Sequence, residues 1–197
     1  MKLILGTNNL GKLIEVRKMM QNLNITVTSP KEENIHFEVE ETGTTFNENA
    51  KLKSEHLFSL TKLPSLADDS GLCVNALGGE PGLYSARFGK SEFSDKDRAL
   101  YLLDLMKDKS DRSCYYHCSI AFTDKDGTFY FEDRCVGELC VDYDLEGKFG
   151  FGYDPIFYYP PLKERFSRVS TEKKNEISHR GLALKRFFEY FSKKYIK

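Results

Sequence analysis

The 197-residue chain has no excess of charge of either sign: 29 basic residues stand against 30 acidic ones, for a net charge of −1. Nucleic-acid and anionic-membrane binding rest on a basic face and so gain no support. A local basic pocket for a small anion needs only a few residues and stays open. Long hydrophobic runs are missing as well. Leu3-Ile4-Leu5, following Met1-Lys2, is far too short for a signal peptide, and nothing later approaches the ~20 apolar residues of a membrane span. The five cysteines (Cys73, Cys114, Cys118, Cys135, Cys140) form no CxxC pair and have only His117 nearby. Buried free thiols in a reducing cytoplasm are therefore expected, not a zinc site. Internal repeats and low-complexity segments are absent. So is a Walker A loop, which needs glycine, four residues, then Gly-Lys-Ser/Thr. No serine or cysteine nucleophile stands beside a base partner, which disfavours a covalent intermediate. What remains, 40% apolar and 30% charged, is an ordinary globular composition, long enough for one or two units with a sizeable core.

The centre of interest is Ala67-Asp68-Asp69-Ser70-Gly71-Leu72, directly after the apolar run Leu63 to Ala67. The run is short enough for a buried strand with the acids at its end. Neighbouring side chains on a strand point to opposite faces, so Asp68 and Asp69 are expected to do different jobs. A polar turn is the plainer alternative.

Lys2 to Gly6 reads as a strand that breaks at Thr7-Asn8-Asn9-Leu10-Gly11-Lys12. Leu13, Val16, Met20 and Leu23 then recur at helical spacing. Strand, polar loop and helix start together aim backbone N–H groups at whatever sits in the loop. Lys12 adds a mobile cation, so the segment reads as a phosphate site or a plain helix N-cap. Ile25 to Ser29 is a second strand. A helix from about Thr45 to Leu60 has capping-box spacing at Thr45 and Glu48. Lys53 falls on the same stripe as Phe46, Ala50 and Leu57 and is expected to snorkel to solvent, the alternative being that it aims at the acidic centre. Ser94 to Lys107 is a helix with Ala99, Leu102, Leu103 and Met106 inward. Cys114 to Thr123 and Thr128 to Val141 are strands joined by a turn with an Asp-Gly pair.

Gly147 to Pro155 holds three glycines, three aromatics, of which Phe151 and Tyr153 offer flat faces for a base, and Asp154, a carboxylate able to accept from ring or exocyclic nitrogens. Lys173 to Arg180 enters a helix with inner stripe Leu184, Phe187, Phe188, Phe191 and Tyr195. Cations at a helix start oppose the dipole, so Lys174, His179 and Arg180 imply an anion or a hydrogen-bonding ligand there. Acid cluster, basic helix start and two Gly- or Asn-rich loops add up to a nucleoside triphosphate site. The basic groups would hold phosphates and the acids a hard cation, Mg²⁺.

These motifs, taken in order, resemble the inosine/xanthosine triphosphate pyrophosphatases. The resemblance runs through Thr7 to Lys12, Glu41 to Phe46 with Glu48-Asn49-Ala50, and Ala67 to Leu72. It continues through Leu77-Gly78-Gly79 with Pro81-Gly82, Tyr84 to Phe88, Phe151 to Pro155, and Ile177 to Arg180. It covers essentially the whole chain. It implies one α/β domain over residues 1–197, an elongated two-lobed fold around a mixed β-sheet flanked by helices, with the active cleft between the lobes. It also implies hydrolysis of ITP, dITP and XTP to the monophosphate and pyrophosphate by what is usually a homodimer. By the same resemblance Asp69 is the general base and Glu41 with Asp69 holds Mg²⁺, Glu40 being close in sequence. Thr7, Asn8, Asn9, Leu10, Gly11 and Lys12 cradle the triphosphate, and Ser70 touches substrate. Phe151, Gly152, Tyr153 and Asp154 line the base pocket with Lys174, His179 and Arg180. The chain departs from the family at Lys148-Phe149-Gly150, where small residues are usual. Related enzymes of pyrimidine or methylated nucleotides, and a non-catalytic nucleotide-binding module, are the rival readings.

Overall fold

The computed structural model describes residues 1–21, 23 and 25–195. Lys2–Leu5 forms β1, buried over its last three residues, and Leu10–Met20 forms α1. Thr26–Thr28 is β2, Phe46–Thr61 α2, Ser65–Val74 β3 and Asp95–Leu105 α3. Ser113–Asp124 (β4) and Gly127–Leu139 (β5) flank a two-residue turn, and Phe157–Tyr159 (β6) and Glu164–Arg165 (β7) follow. Thr171–Ile177 is α4 and His179–Tyr195 is α5. The strands make a seven-stranded sheet in the order β2-β1-β3-β4-β5-β6-β7. β1 runs parallel to β2 and β3, while β5, β6 and β7 pair antiparallel, so the sheet is mixed as expected.

By its contacts the chain divides into two compact units. One is Met1–Asp69, Cys118–Asp133 and Leu182–Lys197; the other is Ser70–His117 and Arg134–Gly181. The first unit's core joins Leu3 and Leu5 of β1, Leu13, Val16 and Met20 of α1, Phe122 of β4, and Leu184, Phe187 and Phe191 of α5. Each large side chain so buried contributes about 1.5–3 kcal/mol. The second unit's core gathers Leu72 and Val74, Leu102 and Met106, Tyr116, Tyr153, Phe157 and Phe166. All five cysteines are free thiols, four of them buried and Cys140 half-buried.

The expected cap of α2 is present, and α3 has one that was not expected. Thr45 and Glu48 close a reciprocal capping box on α2, and Ser94 with Asp97 closes another on α3. Three expectations change. β3 does not stop before the acids but runs through them to Val74, because the apolar pattern resumes at Leu72-Cys73-Val74 and each acid meets a cation of its own. Leu23 lies beyond the end of α1, yet still packs against the core. The Lys173–Arg180 stretch is not one helix start. Ser178 adopts an extended conformation and its Oγ accepts the Gly181 N–H at 3.2 Å, so one helix ends there and the next is capped.

Candidate active site

In the first unit the alternation along β3 sends Asp68 and Asp69 to different partners. Asp68 Oδ2 lies 2.8 Å from Lys12 Nζ. Lys12 stands in the first turn of α1, which Asn9 caps by accepting the Lys12 N–H at 3.2 Å. Thr7 Oγ1 accepts the Asn9 N–H at 3.1 Å. No acid occupies that first turn, so the positive helix end is not neutralised locally. Asn8 and Leu10 are exposed beside it, and Gly11 is half-buried.

Asp69 is buried, and both its oxygens are engaged. Oδ2 accepts from Asn49 Nδ2 at 3.1 Å, and Oδ1 faces Lys53 Nζ at 3.4 Å. The same ammonium lies 2.8 Å from Glu41 Oε1. Lys53 therefore takes the alternative direction: it does not snorkel, because three carboxylates outweigh the gain from hydration. Its side chain is only 12% exposed. Burial works to lower its pKa, but Asp69, Asp68 and Glu41 together hold it above the usual lysine value. Burial pushes the Asp69 carboxyl up, with Lys53 and the Asn49 bond pulling the other way. Glu41 is half-buried toward this centre, whereas Glu40 is exposed. Three carboxylates and two ammonium groups thus meet here, with one ammonium shared between two of the acids.

The donor set fits a hard cation. Glu41 and Asp69 offer oxygen ligands alone and are close enough to share one ammonium. Among the described residues no group of three or more His, Cys, Asp and Glu side chains is arranged to hold a metal. Two protein carboxylates, completed by phosphate oxygens and water, is the habit of Mg²⁺.

In the second unit Asp154 is the hub. It is 2% exposed; Oδ2 meets Lys174 Nζ at 2.5 Å and accepts the Phe151 N–H at 2.8 Å, while Oδ1 accepts from Tyr116 Oη at 3.3 Å. Lys174 lies over the Phe151 ring, 4.8 Å from its centroid, and Arg180 at 5.9 Å. Arg180 Nη2 also donates to Ser70 Oγ at 3.0 Å. His179 stacks nearly parallel on Tyr116 at 4.6 Å, and burial holds the Tyr116 phenol well above its ordinary pKa. Phe151 is 36% exposed.

Two expectations shift here. Tyr153, expected to offer a second flat face, is buried, and its hydroxyl donates to the Ser85 carbonyl at 2.9 Å. Asp154, expected to accept from a base, is already met by three donors of the chain. Lys174 has Asp154 as its anion and sits inside α4, not at a bare helix start. Gly152 donates its N–H to Asp95 at 3.2 Å. Upstream, Asp144 accepts from Ser167 at 2.6 Å and from two Arg168 nitrogens at 2.9 Å each, and the Lys148 and Phe149 N–H groups bond the Ser167 carbonyl. The segment with the unusual Phe149 is thus anchored, and the Phe149 side chain is 44% exposed.

The site residues therefore fall into two groups: Thr7 to Lys12, Glu41 and Asp69 in the first unit, and Ser70, Phe151 to Asp154, Lys174, His179 and Arg180 in the second. Asn49 and Tyr116, which touch Asp69 and Asp154, were not singled out from sequence. Asn49 stood inside the Glu48-Asn49-Ala50 motif as a signal, while Tyr116 had none beyond its place in a strand.

Residues 3–190 match the model of the Ham1 family. A dITP/XTP pyrophosphatase of Leptospira interrogans is 49% identical over 193 residues, 98% of either chain. Among solved structures, a Ham1 protein of Coxiella burnetii superposes with a TM-score of 0.89 at 35% identity, covering 98% of this chain and 99% of that one. A Ham1 protein of Staphylococcus aureus gives 0.88 at 36%, covering 98% and 100%.

Proposed function

We propose that this chain, which belongs to the Ham1 family, hydrolyses the non-standard purine nucleoside triphosphates ITP, dITP and XTP to the monophosphate and pyrophosphate. The observation that carries the proposal is Asp69: a buried carboxylate held at both oxygens, beside Glu41 and two lysines. Water attacks the α-phosphorus, its proton passes to Asp69, the α–β anhydride bond breaks, and the electron pair leaves with pyrophosphate. Mg²⁺, held by Glu41 and Asp69, supplies charge neutralisation on the phosphate oxygens when bound. Thr7 to Lys12 bind the triphosphate through the α1 N-terminus and the Lys12 ammonium. Phe151 provides the stacking face for the base, its ring steadied by Lys174 and Arg180. Ser70, Gly152, Tyr153, Asp154 and His179 shape that pocket. A donor such as Arg180 suits a C6 carbonyl, whereas a 6-amino group would set donor against donor at a cost of about 1–3 kcal/mol. We place the chain in the cytoplasm as a homodimer, without nucleic acid or membrane as partner. The free thiols and near-zero net charge support that placement.

The test is pyrophosphate release from ITP, dITP, XTP, GTP, ATP, dUTP and methylated UTP, with Mg²⁺ and with chelator. Expected is Mg²⁺-dependent release, with ITP and XTP ahead of GTP and ATP by at least about tenfold in kcat/KM. Equal rates on all seven, or faster release from the pyrimidines, would sink the assignment. Light scattering on the purified protein checks the dimer: twice 22.7 kDa is expected.

A further inference from the structure

Asn49 lies in α2, and none of its surface reaches solvent. The hydrolysis described above does not call on it. Its carboxamide has two unlike ends, and the chain dictates which end faces which partner. The Gly43 N–H, which only donates, lies 2.9 Å from Oδ1. The amide nitrogen, which also only donates, is thereby turned to Asp69 Oδ2 at 3.1 Å. Oδ2 of Asp69 must accept, and Oδ1 is left on the side where Lys53 stands at 3.4 Å. Gly43 is two residues past Glu41, so one amide joins the segment bearing Glu41 to the strand bearing Asp69. The approach is close: a Cβ at position 43 would lie 2.6 Å from Asn49 Oδ1 and 2.7 Å from Glu48 Cβ. Only a glycine admits it.

We propose that Asn49 is the positioning residue for Asp69: its Nδ2 bond sorts the two carboxylate oxygens, and its Gly43 bond keeps Glu41 beside them. The proposal rests on the hydrolytic role of Asp69 given above. A leucine at 49 matches the shape of asparagine but neither donates nor accepts. An aspartate keeps an acceptor for the Gly43 N–H and loses the donor to Asp69.

The experiment measures ITP hydrolysis by the parent, Asn49→Leu and Asn49→Asp, with thermal melts and equilibrium binding of a non-hydrolysable ITP analogue. A misplacement of the base on the ångström scale predicts kcat lower by about 100-fold in Asn49→Leu and at least about tenfold in Asn49→Asp, with KM and analogue affinity within about threefold. The split between kcat and KM separates positioning from a loosened fold. A loss that merely tracks the folded fraction, or one confined to KM, overturns the proposal. Should Asn49→Leu not fold, Asn49→Asp decides: a folded protein with parental kcat overturns it. A parent inert toward every purine triphosphate sinks the hydrolytic role and the positioning role together, whereas an active parent matched by its variants sinks the positioning role alone.

Discussion

Aspartate and lysine meet in both site groups, but the two meetings are built differently. In the first unit Lys53 is shared between Glu41 and Asp69, and Lys12 goes to Asp68. In the second, Asp154 and Lys174 form a closed pair at 2.5 Å, both nearly fully buried, with Tyr116 and the Phe151 N–H taking up further acceptor capacity. A closed buried pair has little left to offer a ligand; it holds a loop. A shared set, in which one ammonium serves two carboxylates, keeps capacity for a cation and a proton. Chemistry is therefore to be sought where one cation is divided between acids, and architecture where a pair is exclusive.

Substitutions sharpen the contrast. Lys174→Met leaves Asp154 buried without its counter-ion and is expected to cost about 3–5 kcal/mol of stability in urea denaturation. A loss under about 1 kcal/mol would mean that the pair is not the scaffold described. Asp69→Asn is expected to keep the parental melting curve and lower ITP turnover by at least about 100-fold, some 2.7 kcal/mol of barrier. Parental turnover in that variant would remove Asp69 from the chemistry. Asp144→Asn tests the anchoring of the loop before Phe151. The Arg168 and Ser167 bonds hold the Asp144 carboxyl well below the usual carboxylate range. Its stabilisation is full above the unfolded value near 3.8 and disappears as pH falls through the lower folded value. The variant is thus expected to be about 2 kcal/mol less stable at pH 7 and to draw level with the parent in strong acid. A gap that stays constant with pH would refute the linkage. Phe151→Ala removes the stacking face and is expected to raise KM for ITP about tenfold with kcat retained. An unchanged KM would place the base elsewhere.

Much of this was legible in the sequence, because its signals are local. The capping box at Thr45 and Glu48, the helical stripe of α5, the turn between β4 and β5 and the N-cap at Asn9 each depend on residues within one or two turns. The motifs also drew attention to Asp69 and Phe151, whose contacts only the structure supplies. What escaped depends on distant partners. Whether Lys53 reaches solvent or the acids is decided by Glu41 and Asp69, 12 and 16 residues away. That Asp154 is satisfied internally depends on Tyr116, 38 residues upstream, and on Lys174, 20 residues downstream. Ser178 could stop a helix or sit within one, and only the extended backbone with its bond to Gly181 tells which.

Chain ends usually fray, but the last described turn of α5 is fastened. Lys194 Nζ reaches Asp124 at 2.7 Å and Asp126 at 2.9 Å, the Tyr195 hydroxyl also bonds Asp124, and the rings of Phe129, Tyr190 and Tyr195 surround the ammonium. Spontaneous local opening then has to begin elsewhere, and amide exchange with deuterium across the end of this helix is set nearer to the global unfolding free energy than to that of a loose tail.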